Sequence, residues 1–400
     1  MGIVKIENSI LNGTVTAPPS KSAAHRALIC SFLAGGGSVS PIINSKDMQA
    51  TTGVIDALKR GDSTLNCIES GSTLRFMIPV AASLGKSVTF TGEGRLPERP
   101  VGEYLEILPK HNVKVESNGF LPLSISGKLT NGTYEAAGDV SSQYITGLLL
   151  ALANVDGDSA VILTTKLQSK PYVDMTVKVM ADYGVDVKET EFGYLIHGNQ
   201  QFKKLDYTVE GDWSQAAFFL VAGAIGGNIT VNGLDMNSTQ GDKEIVNVIR
   251  NFGGNITVDD NEIRCFGGEL KGTEIDASDI PDLVPIIAVL AAFAKGKTVI
   301  KGAERLRYKE SDRIESVVQN LKLLGAQVQE TTDGMIINGG KKLNSAKLKG
   351  FNDHRIVMAF SVAGLYIDGT VEIDDAESIN KSYPSFFEDY NRLGGKADVL

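Results

Sequence analysis

Six-fold internal repetition is the property of this chain that most limits what it can fold into. A pattern recurs beginning near Gly13, Cys67, Thr133, Tyr207, Thr273 and Leu348, and self-similarity of this kind means one supersecondary unit used several times. Each copy opens with a short strand, passes through a polar cluster and enters a helix. The six helices read SKSAAHRALICSFLAGG, SGSTLRFMIPVAASLGK, SSQYITGLLLALANVDG, DWSQAAFFLVAGAIGGN, IPDLVPIIAVLAAFAKG and NDHRIVMAFSVAGLYIDG. A strand rich in Val, Ile and Thr follows, as in SVTFTG or NITVNG, and then generally a second helix such as SDRIESVVQNLKLLGA. Most copies finish with a polar-tipped hairpin such as VQETTDGMIING.

The first helix of each copy is apolar nearly all round and the second only along one stripe. The first must therefore be enclosed, while the second lies across a sheet surface. Six β-α-β-α-β-β units in 400 residues predict a mixed α/β fold of two pseudo-threefold domains. Each would hold three buried parallel helices with sheets outside. The chain crossings fall near Pro18–Ser20 and Glu210–Asp212, giving domains of residues 19–211 and of 1–18 plus 212–400.

The polar clusters all sit at the N-terminal ends of the buried helices. Unsatisfied N–H groups and about half a positive charge make such ends attractive to anions. The six copies offer there, in order, Lys21, Ser22 and Arg26; Gly71, Ser72 and Arg75; Ser141, Ser142 and Gln143; Asp212 and Ser214; Asp279 and Asp282; and Asp353, His354 and Arg355. Helix-start Ser and Asp are commonly plain caps, and that is the expectation for Asp212, Ser214 and Asp279. Caps do not explain recurring cations, however. More cations lie in the loops before the second helices: Arg95, Arg99, Lys170, Arg307, Lys309, Arg313 and Lys381. Arginine forks suit carboxylate and phosphate, and lysines supply movable point charges. If helix N-termini of two domains face each other, the result is an anion-binding active site in the interdomain cleft, for small substrates carrying several negative groups.

Composition narrows the classes further. The net charge of −9 argues against a nucleic-acid partner, which calls for a basic field. The longest apolar run, Leu283 to Ala294, is too short to span a membrane, and MGIVKIENSI shows no export signal, so a cytoplasmic location is expected. Cys30, Cys67 and Cys265 lack the spacing of a zinc or disulfide framework, and the four histidines lack metal-ligand spacing. No P-loop, no dinucleotide-binding G-x-G-x-x-G and no G-x-S-x-G elbow occurs.

Ten segments in order resemble one family: PPSKSAAHRAL, ESGSTLRF, GEGRLPERP, DVSSQYITGLL, QSKPYVD, VEGDWSQAAFF, IPDLVP, RYKESDRI, FNDHRIVMAF and NKSYPSFFE. Together they span essentially the whole chain. It is identified by them as a member of the 5-enolpyruvylshikimate-3-phosphate synthases, the glyphosate-targeted enzymes of the shikimate pathway to aromatic amino acids. The resemblance implies transfer of the enolpyruvyl group of phosphoenolpyruvate to shikimate 3-phosphate. It also implies no metal, no organic cofactor and a monomer that needs neither nucleic acid nor membrane.

Carried over by position, the resemblance implicates Lys21, Ser22, Arg26, Ser141, Ser142, Gln143, Ser169, Asp282 and Lys309 in holding shikimate 3-phosphate, with Tyr172 near the shikimate ring. For phosphoenolpyruvate it implicates Lys21, Gly71, Arg99, Gln143, Arg313, Arg355 and Lys381. Asp282 would take the proton from the attacking hydroxyl, and Glu310 with Lys21 would deliver one to the methylene carbon. Several positions depart from the family's commonest pattern. Arg305 stands where many members use asparagine to touch shikimate 3-phosphate, Glu69 and Phe76 flank the Gly71 segment, and His25 stands where several carry asparagine. Two rivals remain. One is the sister family acting on UDP-N-acetylglucosamine, most members of which have a cysteine in the loop here reading GEGRLPERP. The other is a non-catalytic anion-binding protein on the same repeats.

Overall fold

The computed structural model describes residues 2–259 and 262–400. The chain forms two compact units, Ser20–Val209 and Met1–Pro19 with Glu210–Leu400. Five four-stranded sheets and a two-stranded one account for the strands among the described residues.

The four-stranded sheets share one order. In the second copy, Thr64–Asn66 runs parallel to Val88–Thr91, which pairs antiparallel with Leu123–Gly127, which in turn pairs with Val113–Glu116. The third copy repeats this with Thr133–Ala136, Ser159–Leu163, Gly193–Ile196 and Val187–Thr190. The fifth repeats it with Glu274–Asp276, Gly296–Lys301, Gly334–Gly339 and Gln327–Thr331.

Strand pairing at the crossings differs from sequence order. Asn12–Thr16, which leads into the first buried helix, pairs parallel with Asn228–Asn232 of the fourth copy. Tyr207–Thr208, which leads into the fourth, pairs instead with Val39–Ser40 of the first. The sixth copy borrows the N-terminal strand Val4–Glu7, placed between Thr370–Ile373 and Lys396–Val399. The first copy has no hairpin, because the chain passes from its second helix, Lys46–Arg60, almost directly into Thr64–Asn66. Its sheet therefore stops at two strands.

Burial follows the two helix types. Trp213–Ile225 is buried at every residue but the last, and Val284–Phe293 at all but Phe293. Lys46–Arg60 buries one stripe, including Met48, Thr51, Val54, Ile55 and Leu58, and ends at Gly61 in the left-handed region (φ 82°), where glycine carries no steric penalty. In one unit the helices Trp213–Ile225, Val284–Phe293 and His354–Gly364 pack mutually. In the other, Gly71–Ser83 packs closely on Ser142–Leu152. That approach needs Gly147, since a Cβ there would lie 2.4 Å from the Arg75 carbonyl oxygen. Among the described residues, no helix is long and apolar enough to cross a membrane.

Candidate active site

Five of the six buried helices start on a side-chain cap. Ser20, Ser70, Ser141, Asp212 and Asp353 each accept a backbone N–H from the first turn, which satisfies one of the donors left open there. The sixth, Val284–Phe293, has no side-chain cap and is entered through the short 3-10 turn Pro281–Leu283. Proline's fixed φ and missing N–H suit that entry. The Asp282 carboxylate in that turn faces cations.

Arg313 Nη1 donates to Asp282 Oδ1 at 2.9 Å, Arg355 Nη2 to Oδ2 at 3.1 Å, and Arg355 Nη1 to the Asp282 carbonyl at 3.1 Å. Lys309 Nζ lies 3.6 Å from Oδ1. Burial pushes the Asp282 carboxyl up, but Arg355, Lys309 and Arg313 outweigh it and hold the group well below the usual carboxylate range. Glu310 is brought to the same centre, accepting from Arg313 Nη2 at 2.7 Å. Arg313 itself is fully buried and also donates from Nε to Asp353 Oδ2 at 2.8 Å. Burial alone would ease its proton off, yet Asp353, Glu310 and Asp282 raise its affinity for that proton instead. Lys381 Nζ donates to the Asn352 carbonyl beside this centre at 2.7 Å, and Arg305 Nη2 to the Ser278 carbonyl at 2.7 Å. Asp242, fully buried, has its carboxyl pushed up to about 7 by burial and by Asp282.

The unit Ser20–Val209 arranges its cations differently. Arg26 donates from Nε to the Thr176 hydroxyl (2.8 Å), from Nη1 to the Ser22 carbonyl (2.6 Å) and from Nη2 to the Tyr172 carbonyl (2.8 Å). Burial drops its guanidinium to about 10. Arg75 donates to Gln143 Oε1 and to the Pro100 carbonyl, each at 2.9 Å, and Gln143 Nε2 donates to Ser72 Oγ at 3.0 Å. Gln143 thus joins the starts of two buried helices. Gly71 is the floor for Arg99: a Cβ at 71 would lie 2.7 Å from Arg99 Nη1. Lys21 pairs with Asp47 at 2.6 Å. Ser169, buried and at φ 55°, starts the helix carrying Tyr172, and Ser142 is buried just behind the Ser141 cap.

The remaining sequence candidates go elsewhere. Lys170 pairs with Asp174 and Glu189, Arg307 with Asp312 and Glu330, and Arg95 with Glu98. Asp212 is a cap, as expected. Sequence reasoning missed Asp47 and did not single out Asp353 as the anchor of Arg313. Asp353 carried a helix-start signal, but its separation of 40 positions from Arg313 hid the pairing. All three cysteines are buried, and burial raises each thiol, so none is poised as a nucleophile.

A family model for EPSP synthase (3-phosphoshikimate 1-carboxyvinyltransferase) matches residues 7–64 and 44–390. The chain is 42% identical to the 3-phosphoshikimate 1-carboxyvinyltransferase of Clostridium novyi, covering 99% of this chain and 98% of that one. It is 43% identical to the enzyme of the same name from Clostridium kluyveri, over 100% and 99% of the two chains. The solved structure of EPSP synthase from Acinetobacter baumannii superposes with a TM-score of 0.82 at 25% identity, covering all of both chains. The enolpyruvyl transferase NikO from Streptomyces tendae shares the fold, with a TM-score of 0.79 at 17% identity over 100% and 99% of the two chains. With a family model matching nearly its whole length and full-length likeness to these enzymes, the chain belongs to the EPSP synthase (3-phosphoshikimate 1-carboxyvinyltransferase) family.

Proposed function

We propose that this chain transfers the enolpyruvyl group of phosphoenolpyruvate to the 5-hydroxyl of shikimate 3-phosphate by addition and elimination, releasing phosphate. The observation that carries the assignment of roles is the Asp282 carboxylate, held by Arg313, Arg355 and Lys309. Asp282 removes the proton as the hydroxyl oxygen bonds to C2 of phosphoenolpyruvate. C3 gains a proton from Glu310 or Lys21 and becomes a methyl group. In the elimination C3 returns a proton to that same side chain as the C2–O bond to phosphate breaks, which re-forms the C2=C3 double bond and releases phosphate.

A resting carboxylate so well paired is a weak base. A substrate carboxylate or phosphate that shares Arg313 and Arg355 weakens their hold on Asp282 and raises its proton affinity, which is the direction base catalysis needs. Lys21, Gly71, Arg99, Gln143 and Lys381 complete the phosphoenolpyruvate set. Lys21, Ser22, Arg26, Ser141, Ser142, Gln143, Ser169, Tyr172, Asp282, Arg305 and Lys309 hold shikimate 3-phosphate. Arg26 supports this role because its partners are a hydroxyl and two carbonyls, so a phosphate adds the counter-charge they lack.

Phosphate release from phosphoenolpyruvate tests the reading, measured with shikimate 3-phosphate, with UDP-N-acetylglucosamine and with no acceptor. Release with shikimate 3-phosphate alone is expected. Release with only the UDP-sugar, or with neither acceptor, overturns the proposal.

A further inference from the structure

His25 is enclosed on the Lys21–Leu33 helix, 1% exposed, between the candidate ligands Lys21 and Arg26. Its Nδ1 lies 2.6 Å from Thr51 Oγ1, which lies 2.7 Å from Thr73 Oγ1, and Thr73 Oγ1 donates to Ser70 Oγ at 2.8 Å. A hydroxyl has one proton to give. Thr73 gives its own to Ser70, so Thr51 must give to Thr73, and His25 must donate from Nδ1 to Thr51. The ring is then the Nδ1–H tautomer with its lone pair on Nε2, an atom that is buried and has no hydrogen-bond partner. Burial, then Lys21 and Arg26, hold this imidazole well below its ordinary pKa, hence neutral. Phe76 closes the cluster, edge-on to His25 at 6.3 Å and 5.1 Å beneath the Arg26 guanidinium.

These four side chains cross three helices and end on Ser70, the cap of the helix whose first residue is Gly71. We propose that the His25–Thr51–Thr73–Ser70 chain is a positioning device. It holds the Gly71 turn, and with it Arg99, in register with Lys21 and Arg26, so that the two substrates meet at reacting distance. None of the four need touch substrate. The inference rests on the substrate assignments proposed above for Lys21, Arg26, Gly71 and Arg99. A chain of ordered hydroxyls suits this task because each member has a single satisfied arrangement, and removing one link leaves a buried donor or acceptor unpaired.

Steady-state kinetics of Thr51→Val and Thr51→Ser test it, alongside the unmodified protein and with both substrates varied. Thr51→Val unties the Gly71 turn from the His25 helix while Arg26 keeps its own partners, so it is expected to lower kcat/KM for phosphoenolpyruvate about tenfold, the scale of one lost buried hydrogen bond. KM for shikimate 3-phosphate should stay within about twofold, and Thr51→Ser, which restores the hydroxyl, should recover most of the loss. Unchanged constants in a folded Thr51→Val protein overturn the inference. So does a loss shared by all constants in proportion to the folded fraction, the mark of a purely structural role. Should Thr51→Val not fold, 15N resonances of the unmodified protein decide: Nδ1–H with bare Nε2 at His25 supports the chain, and a protonated Nε2 overturns it. Turnover by the unmodified protein checks the functional reading separately, and the nitrogen resonances do not depend on it.

Discussion

Two buried arginines of one unit and two of the other are held in opposite ways. In Ser20–Val209, Arg26 and Arg75 are held by hydroxyl, amide and carbonyl oxygens. In the other unit, Arg313 donates to Asp282, Glu310 and Asp353, and Arg355 to Asp282. The consequence shows in proton affinity: burial lowers Arg26 to about 10, whereas the surrounding carboxylates raise Arg313. Neutral partners position a guanidinium without neutralising it, so its charge is kept for a ligand. Carboxylate partners neutralise it and become, in return, groups whose basicity a ligand can alter. Under the proposed roles, Arg26 keeps its charge for an anion while Arg313 and Arg355 hold Asp282 as a base in reserve.

The comparison breaks most visibly at Arg313. Arg313→Ala leaves Asp353, wholly buried, and Asp282 and Glu310, partly so, without their shared counter-ion. Breaking a buried ion pair from one side costs about 3–5 kcal/mol, so denaturant unfolding should show a loss of that size. An Arg313→Ala protein as stable as the unmodified one would remove the claim that this cation is neutralised in place.

A smaller effect is expected at Gly71. Its Cα is the surface on which Arg99 rests, and an added methyl would lie 2.7 Å from Nη1 and 2.8 Å from Cζ. The arginine is the far end of a flexible chain and can move, so Gly71→Ala should fold. Its KM for phosphoenolpyruvate should rise roughly tenfold, the cost of displacing one charge-assisted hydrogen bond, with KM for shikimate 3-phosphate little changed. Equal changes in both would blur the division of ligands between the two sets.

Acid titration followed by hydrogen exchange, read separately in each unit, gives the smallest effect but opposite signs. His25 is held below its unfolded value of 6.5. The unfolded chain therefore binds this proton first, and the local stability of Ser20–Val209 falls as pH drops below 6.5. Asp242 is raised to about 7 from 3.8. The folded chain binds that proton first, so its contribution is present at low pH and is lost as pH rises through 7. Asp282, held below the carboxylate range, keeps its contribution until pH falls through its folded value. Between pH 6.5 and 4 the first unit should loosen while the surroundings of Asp242 tighten. Parallel trends would contradict the assignment.

Much of the architecture was legible in the sequence because the signals are local. All-round apolar helices with a polar start are visible within about 17 residues, enough for a hydrophobic period to show, and the structure places helices at Lys21, Gly71, Ser142, Trp213, Val284 and His354. The strand exchange at the crossings was not legible: Asn12–Thr16 and Tyr207–Thr208 have nothing in their own residues that names Asn228–Asn232 or Val39–Ser40 as partners. At the candidate site the cations could be read, since charged residues at helix starts stand out. Their partners could not. Asp353 and Arg313 are far apart along the chain, and the Thr51 hydroxyl that meets His25 lies on a helix read only as an amphipathic stripe. The cations that meet on Asp282 were equally hidden, because Arg313 and Arg355 stand 31 and 73 positions away along the chain.

The central claim, that Arg26 holds shikimate 3-phosphate while Asp282 supplies the base, is tested most directly by calorimetric titration of shikimate 3-phosphate into Arg26→Leu and Asp282→Asn, with turnover measured on the same samples. Arg26→Leu is expected to weaken binding about 10- to 100-fold, as loss of charged hydrogen bonds does. Asp282→Asn should bind within a few-fold of the unmodified protein yet lose at least about a hundredfold in kcat, the contribution of a positioned base. Tight binding by Arg26→Leu together with near-normal turnover by Asp282→Asn would contradict the account.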